Sequence, residues 1–181
     1  MAQPIWQKSN TTVDNRIMRF LAGEDVVLDR QIFVYDIAAS KAHVRGLERI
    51  DVLEADEAEQ IIDSLSSLQQ AFEAGDFVLD ERFEDCHSAI ESWLTDDLGD
   101  AGKKVHTGRS RNDQVLVATR LYLRDQLVEL RERCVDAAGA ALERAGEHAS
   151  VAMPGYTHMQ RAVPSSLGVW FAAFAEAFID D

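Results

Sequence analysis

The chain has 181 residues, 46% of them hydrophobic, with 32 acidic against 18 basic side chains and a net charge of −14. That length buries a core of one or two domains, and the acidic balance argues against nucleic-acid binding, which needs clustered Lys and Arg. No segment reaches the roughly 18 unbroken apolar residues of a membrane span, residues 1–6 lack the plan of a signal peptide, and two cysteines, Cys86 and Cys134, are too few for a disulfide framework. A cytoplasmic protein with reduced thiols is expected.

In chain order, Leu28, Ile32, Tyr35, Ala39 and Ala42 recur at threes and fours and predict an amphipathic helix from Leu28 to Leu47, weakened at its end by Gly46. Ala55, Ala58, Ile61, Ile62, Leu65, Leu68 and Phe72 predict a second helix stopped by Gly75, and Ala89, Ile90, Trp93, Leu94 and Leu98 a shorter third closed by Gly99. From Asp113 to about Ala149 no proline interrupts a helical spacing that runs through Val115, Leu116, Leu121, Leu127, Leu130 and Ala138, which predicts a helix of about 35 residues, roughly 50 Å long. Pro164 suits the first turn of a last helix, whose apolar residues from Leu167 to Ile179 cover more than one face and call for burial on several sides.

Strand alternation is nearly absent, so the expected class is all-α. The composition shift at Gly99 to Gly102 divides the chain into a short-helix domain, residues 1–104, and the first long helices of a central bundle, residues 105–181. Asp180 and Asp181 place two carboxylates against the helix dipole with no capping Gly or Asn behind them, so the chain reads as the N-terminal part of a longer protein.

Two segments carry chemistry. Val105-His106-Thr107-Gly108-Arg109-Ser110-Arg111-Asn112-Asp113-Gln114 places hydroxyls, an amide and two arginines directly before the long helix. A helix N-terminus has unpaired N–H groups and partial positive charge, so Ser110, Arg111 and Asn112 could converge with it on a carboxylate or phosphate. The second segment, Pro154 to Pro164, offers Thr157, His158, Gln160 and Arg161 within five positions between two helical patterns.

These two segments, with Ser40-Lys41-Ala42, Arg45-Gly46-Leu47, Asp85-Cys86-His87 and nearby Glu91, resemble the argininosuccinate lyase family of the fumarase/aspartase superfamily. The resemblance implies an L-aspartase/fumarase-like helical fold and a cofactor-free, metal-free β-elimination of argininosuccinate to arginine and fumarate, a step of arginine biosynthesis. It also implies a homotetramer whose active sites are shared between subunits. His158 takes the acid/base role, directly or by poising a partner; Ser110, Arg111, Asn112 and Thr157 bind the substrate carboxylate. Asp85 and His87 lie near the active site, binding the guanidinium and orienting neighbours, and Asp29 matches a position near the substrate. A catalytic serine loop belongs further along such a chain, so these 181 residues alone are expected to be inactive. The chain departs from the pattern at Gln7-Lys8-Ser9 after Trp6, and at Asp25 where members carry a serine.

Each residue also has a plainer reading. His158 alone is a loop histidine after a Pro-Gly turn, Asn112 could cap a helix starting at Asp113, and Asp85 and His87 could belong to a capped helix start. Arg109 and Arg111 could form surface ion pairs, Lys103 and Lys104 a solvated basic pair, and His106 and His148 surface groups. Two ligands two apart on a helix do not share a face, which argues against Asp85 and His87 as a metal pair. For the whole protein the alternatives are another fumarate-releasing lyase of the superfamily or a non-catalytic, crystallin-like helical protein.

Overall fold

Helical spacing becomes helix along most of residues 14–181, the part described by the computed structural model. The elements are α1 (Asn15–Ala22), α2 (Asp25–Leu28), a 3-10 turn (Asp29–Gln31), α3 (Phe33–Arg49), α4 (Ala55–Ala74), α5 (Cys86–Leu98), α6 (Asp100–Lys103) and a second 3-10 turn (Lys104–His106). They are followed by α7 (Arg111–Glu147), a hairpin of β1 (Ala152–Thr157) and β2 (Gln160–Ser166), and α8 (Leu167–Asp180). No helix among the described residues is long and apolar enough to cross a membrane. The departures at Gln7-Lys8-Ser9 lie outside the described residues; Asp25 opens α2 as an exposed acid in its first turn. The chain divides into two compact units, one ending at Leu123 and one beginning at Arg124.

In the first unit α3, α4 and α5 pack around Phe33, Ile37, Val44, Ile61, Leu65, Leu68, Ile90 and Leu94, all buried. Phe33 meets Phe72 at 4.6 Å and stacks on Phe77 at 5.8 Å. Trp93 reaches the same cluster edge-on through Phe77, and its indole N–H donates to Ser64 Oγ at 3.1 Å, which satisfies the ring's one polar group. The ends of α4 and α5 follow their sequence signals. Glu54 N–H donates to Glu57 Oε2 at 3.3 Å at the start of α4, and Gly75, at φ 82°, closes it in the left-handed conformation.

The helix expected from Leu28 to Leu47 differs in start, end and face. A 3-10 turn separates α2 from α3, tied down by Arg30 Nε donating to the Leu79 carbonyl at 2.9 Å, and α3 runs through Gly46 to Arg49. Its buried face is Phe33, Asp36, Ile37, Ser40, Val44 and Leu47, whereas Leu28 and Ala42 are exposed. Two polar residues interrupt the stripe that is buried, so apolar periodicity alone selects the neighbouring face.

The segment joining α6 to α7 is pinned at several points. Lys104 pairs with Glu57, His106 Nε2 meets Glu91 Oε2 at 2.7 Å, His43 Nε2 donates to the Thr107 carbonyl at 2.9 Å, and Arg109 Nη2 donates to Ser40 Oγ at 3.1 Å. Lys103 pairs with Asp100. Lys104 and His106, read from sequence as solvated surface groups, are therefore anchors. The first turns of α7 add a Tyr122 hydroxyl donating to Gln31 Oε1 at 2.7 Å and an edge contact of its ring with Tyr35.

In the second unit, residues 152–166 form a hairpin rather than a loop, and Pro164 sits in β2 opposite Pro154 rather than in a helical first turn. α8 begins after Ser166, whose Oγ accepts from Val169 N–H at 3.1 Å. The strand signal is missing from the sequence because neither face of the hairpin is buried, so nothing enforces alternation. Gly155 marks a register irregularity, where a Cβ would stand 2.9 Å from the Val163 carbonyl oxygen. In α8, Val169, Trp170, Phe174, Phe178 and Ile179 remain exposed, so the described residues do not supply the burial on several sides that its apolar content calls for.

Two glycines in the first unit give opposite expectations. A Cβ on Gly102 would lie 2.1 Å from the Leu94 carbonyl oxygen, whereas one on Gly46 meets nothing within 4 Å. Gly102→Ala should lower the stability of the chain by about 1–3 kcal/mol, and Gly46→Ala should raise it by up to about 1 kcal/mol, both read from urea unfolding midpoints. His43 supplies a pH dependence. Burial holds its imidazole below the ordinary value of 6.5, against the opposing pull of the Thr107 carbonyl. The unfolded chain therefore takes up this proton first, and the stability that His43 contributes above that value is lost as pH falls through it. Between about pH 7 and about pH 5 the unfolding midpoint should drop less in His43→Gln than in the parent.

Candidate active site

The start of α5 gathers the charged groups of the first unit. Asp85 precedes the helix in extended conformation; its Oδ1 accepts from Ser88 N–H at 2.6 Å, and Ser88 Oγ accepts from Asp85 N–H at 3.1 Å, a reciprocal cap. Asp85 Oδ2 lies 3.4 Å from Arg111 Nε at the start of α7. One carboxylate thus closes its own helix and faces a guanidinium from another.

Cys86 N–H, another donor of the same helix start, donates at 2.9 Å to Asp29 Oδ2 from the turn after α2. Asp29 is half-buried. Burial pushes its carboxyl above the ordinary value, the Cys86 N–H and the charge of His87 pull it back, and the charge of Asp85 pushes it further up. His87 is buried, and its Nδ1 meets Oδ2 of fully buried Asp36, from α3, at 2.6 Å. Cys86 Sγ stands 3.6 Å from the same nitrogen, and burial pushes its thiol up, which keeps it as S–H. Asp36, Cys86 and His87 therefore bring ligand-type atoms within 4.8 Å of one another. The spacing of Asp85 and His87 could not show this grouping, because its third member comes from α3.

Of the residues singled out from sequence, Asp29, Asp85, His87 and Arg111 are brought together here. Ser110 and Asn112 are exposed, and Ser110 N–H is occupied by Asp113 Oδ2 at 2.7 Å. Because α7 starts at Arg111, Asn112 is the second residue of the helix and not its cap; the N-cap position falls to Ser110, whose N–H donates to Asp113 Oδ2. Thr157 and His158 belong to the second unit, as the last residue of β1 and the first of the two-residue turn before β2, both exposed. His158 at φ 49° and Met159 at φ 62° adopt the left-handed pair that a two-residue hairpin turn requires, usually met by Asn-Gly.

Sequence reading missed Asp36, and it quoted Ser40, Gln114 and Arg109 within motifs without giving them a site role. Asp36, Ser40 and Gln114 are buried polar residues of the first unit, and Arg109 is half-buried beside Ser40. Asp36 and Ser40 are one turn apart on the buried face of α3, and Arg109 is anchored on Ser40. Burial pulls the Arg109 guanidinium down, opposed first by the charge of Asp36. Asp36 Oδ1, Arg109 Nε, Arg111 Nη1 and Gln114 Oε1 are buried without a hydrogen-bond partner among the described residues. Leaving one such atom unsatisfied costs roughly 1–3 kcal/mol, so each has hydrogen-bonding capacity to offer. Arg111 offers donors to a carboxylate, and the acidic pair Asp29 and Asp85 suits a cation. The signal available in the sequence was a polar pair, Asp36 and Ser40, four apart among Phe33, Ile37 and Val44.

The chain is 55% identical over its whole length to an argininosuccinate lyase of Xanthomonas oryzae pv. oryzae, strain PXO99A, and equally to one of Stenotrophomonas maltophilia, strain K279a. It spans 42% of the length of each of these relatives. Among solved structures, an EDDS lyase in complex with formate matches 95% of this chain with 34% of its own at a TM-score of 0.73 and 27% identity. A fumarate lyase:delta crystallin from Brucella melitensis shares the fold over 93% of this chain and 44% of its own at a TM-score of 0.71, with 18% identity. A family model described as Lyase matches residues 9–181, and the chain belongs to that lyase family.

Proposed function

We propose that this chain forms part of an argininosuccinate lyase that splits argininosuccinate into arginine and fumarate. The observation that carries the reading is Arg111, fixed at the start of α7 against Asp85, with a buried Nη1 that has no partner among the described residues, beside an acidic pair that suits a guanidinium. A substrate with a succinyl carboxylate at one end and a guanidino group at the other matches both halves of this arrangement. The named relatives, at 55% identity along the whole chain, support the same substrate.

In the reaction, a base removes a proton from the carbon next to a carboxylate, and the electron pair moves onto that carboxylate as an enediolate. The pair then returns to form the carbon–carbon double bond of fumarate as the C–N bond breaks, and the departing nitrogen takes up a proton as it leaves with arginine. The energetic obstacle is the enediolate, which preorganised donors stabilise most where water is excluded. We assign this work to Arg111, Ser110, Asn112 and Thr157. His158 handles the proton, directly or by poising a partner, since imidazole changes charge near neutrality. Asp85, His87 and Asp29 bind the guanidino end and orient their neighbours. Residues 1–104 serve as the N-terminal helical domain and 105–181 as the start of the central bundle of a cytoplasmic homotetramer. The exposed hairpin tip and the exposed apolar row of α8 suit sites shared between subunits.

Fumarate release followed by absorbance tests the reading, with adenylosuccinate, aspartate and malate offered beside argininosuccinate. The full-length protein should turn over argininosuccinate and none of the others appreciably; preference for another substrate refutes the assignment. In that protein His158→Asn should lower kcat by about 10²–10⁴-fold with little change in KM, and Arg111→Met should lower kcat/KM by about 10²–10³-fold. The isolated 181-residue chain should release no fumarate, and clear turnover by it would show that these residues hold a whole site.

A further inference from the structure

We propose that Asp36 is a positioning residue that fixes the proton and the ring plane of His87, so that Nε2 is the nitrogen His87 turns to the substrate. The inference rests on the reading of His87 as a site residue and adds a residue from a different helix to it. It begins from an anomaly in α3, where a carboxylate is fully buried among Phe33, Ile37 and Val44. A buried carboxylate is strongly disfavoured unless it is paired; the partner of Oδ2 is His87 Nδ1 at 2.6 Å, while Oδ1 has no hydrogen-bond partner among the described residues. That distance is at the short limit for a charge-assisted contact.

A carboxylate can only accept, so Nδ1 carries the hydrogen between them. With Nδ1 committed in this way, Nε2 holds the remaining capacity of the ring, as an acceptor when the ring is neutral and as a second donor when it is charged. The contact also sets the plane of the ring, because Asp36 is held by a helix packed in the core and His87 by the first turn of α5. Cys86 Sγ, at 3.6 Å from Nδ1, is a weaker neighbour that cannot replace a carboxylate as acceptor. Arg109 completes the arrangement on the same buried face of α3. Its Nη2 donates to Ser40 Oγ, one turn from Asp36, and its charge attracts that of Asp36. The carboxylate is thus stabilised without Arg109 displacing the imidazole from Oδ2.

Neutron diffraction from perdeuterated crystals of the full-length enzyme reads the proton directly and needs no variant. Deuterium on His87 Nδ1, pointing at Asp36, is expected; Nδ1 without deuterium overturns the proposal. Kinetics separate positioning from mere support of the fold. Asp36→Leu, which removes the acceptor, should lower kcat at least tenfold while the tetramer remains assembled. Asp36→Asn, whose amide oxygen can still accept from Nδ1–H, should recover most of that loss. Equal losses in the two variants would overturn the role. If Asp36→Leu fails to assemble, the diffraction result and the Asp36→Asn kinetics decide, since a loss of tenfold or more in the amide variant counts against the proposal. His87→Asn distinguishes the two readings: unchanged kinetics there remove His87 from the site, while the deuterium position still reports whether Asp36 fixes its ring.

Discussion

The first turn of α5 is the point on which the first unit depends. Three consecutive residues there are tied to three different elements: Asp85 to Arg111 of α7, Cys86 to Asp29 in the turn after α2, and His87 to Asp36 of α3. A helix start is suited to this because its N–H groups have no partners within the helix. Asp85 and Asp29 satisfy two of them from outside. The same contacts that complete the hydrogen bonding of α5 therefore bring together side chains far apart in sequence.

The approach to α7 extends this arrangement. His43, Ser40, Glu57 and Glu91, on three helices, each hold one residue of the segment from Lys104 to Arg109. Individually, such partly exposed contacts contribute little to stability. Their joint effect is geometric, since a segment fixed at four places has little freedom in how it delivers Arg111. The position of the Arg111 guanidinium is thus set by anchoring the backbone before the helix rather than by the helix alone.

Much of this was legible in the sequence where one physical signal dominated. Ala58, Ile61, Leu65 and Leu68 of α4, and Ala89, Ile90 and Leu94 of α5, are buried as their spacing requires, and Gly75 and Gly99 close their helices at positive φ. The long helix was readable from the absence of proline, and the residues 105–114 from their density of donors. Two features were not legible, for different reasons. On α3, Asp36 and Ser40 occupy core positions, so a search for apolar residues turned to the wrong face, and their meaning depends on His87 and Arg109, which are distant in sequence. The hairpin carries two prolines, a bulge and no buried face, so period-two alternation had no cause to be present.

The turn of that hairpin has a consequence for engineering. Met159 is 97% exposed at φ 62°, and His158 before it is also left-handed. Non-glycine residues pay about 1–2 kcal/mol each for that conformation, and Asn-Gly would relieve it. A selection that rewards heat resistance alone would therefore favour replacing both residues at the tip, and thermotolerant descendants of this chain would lose its imidazole.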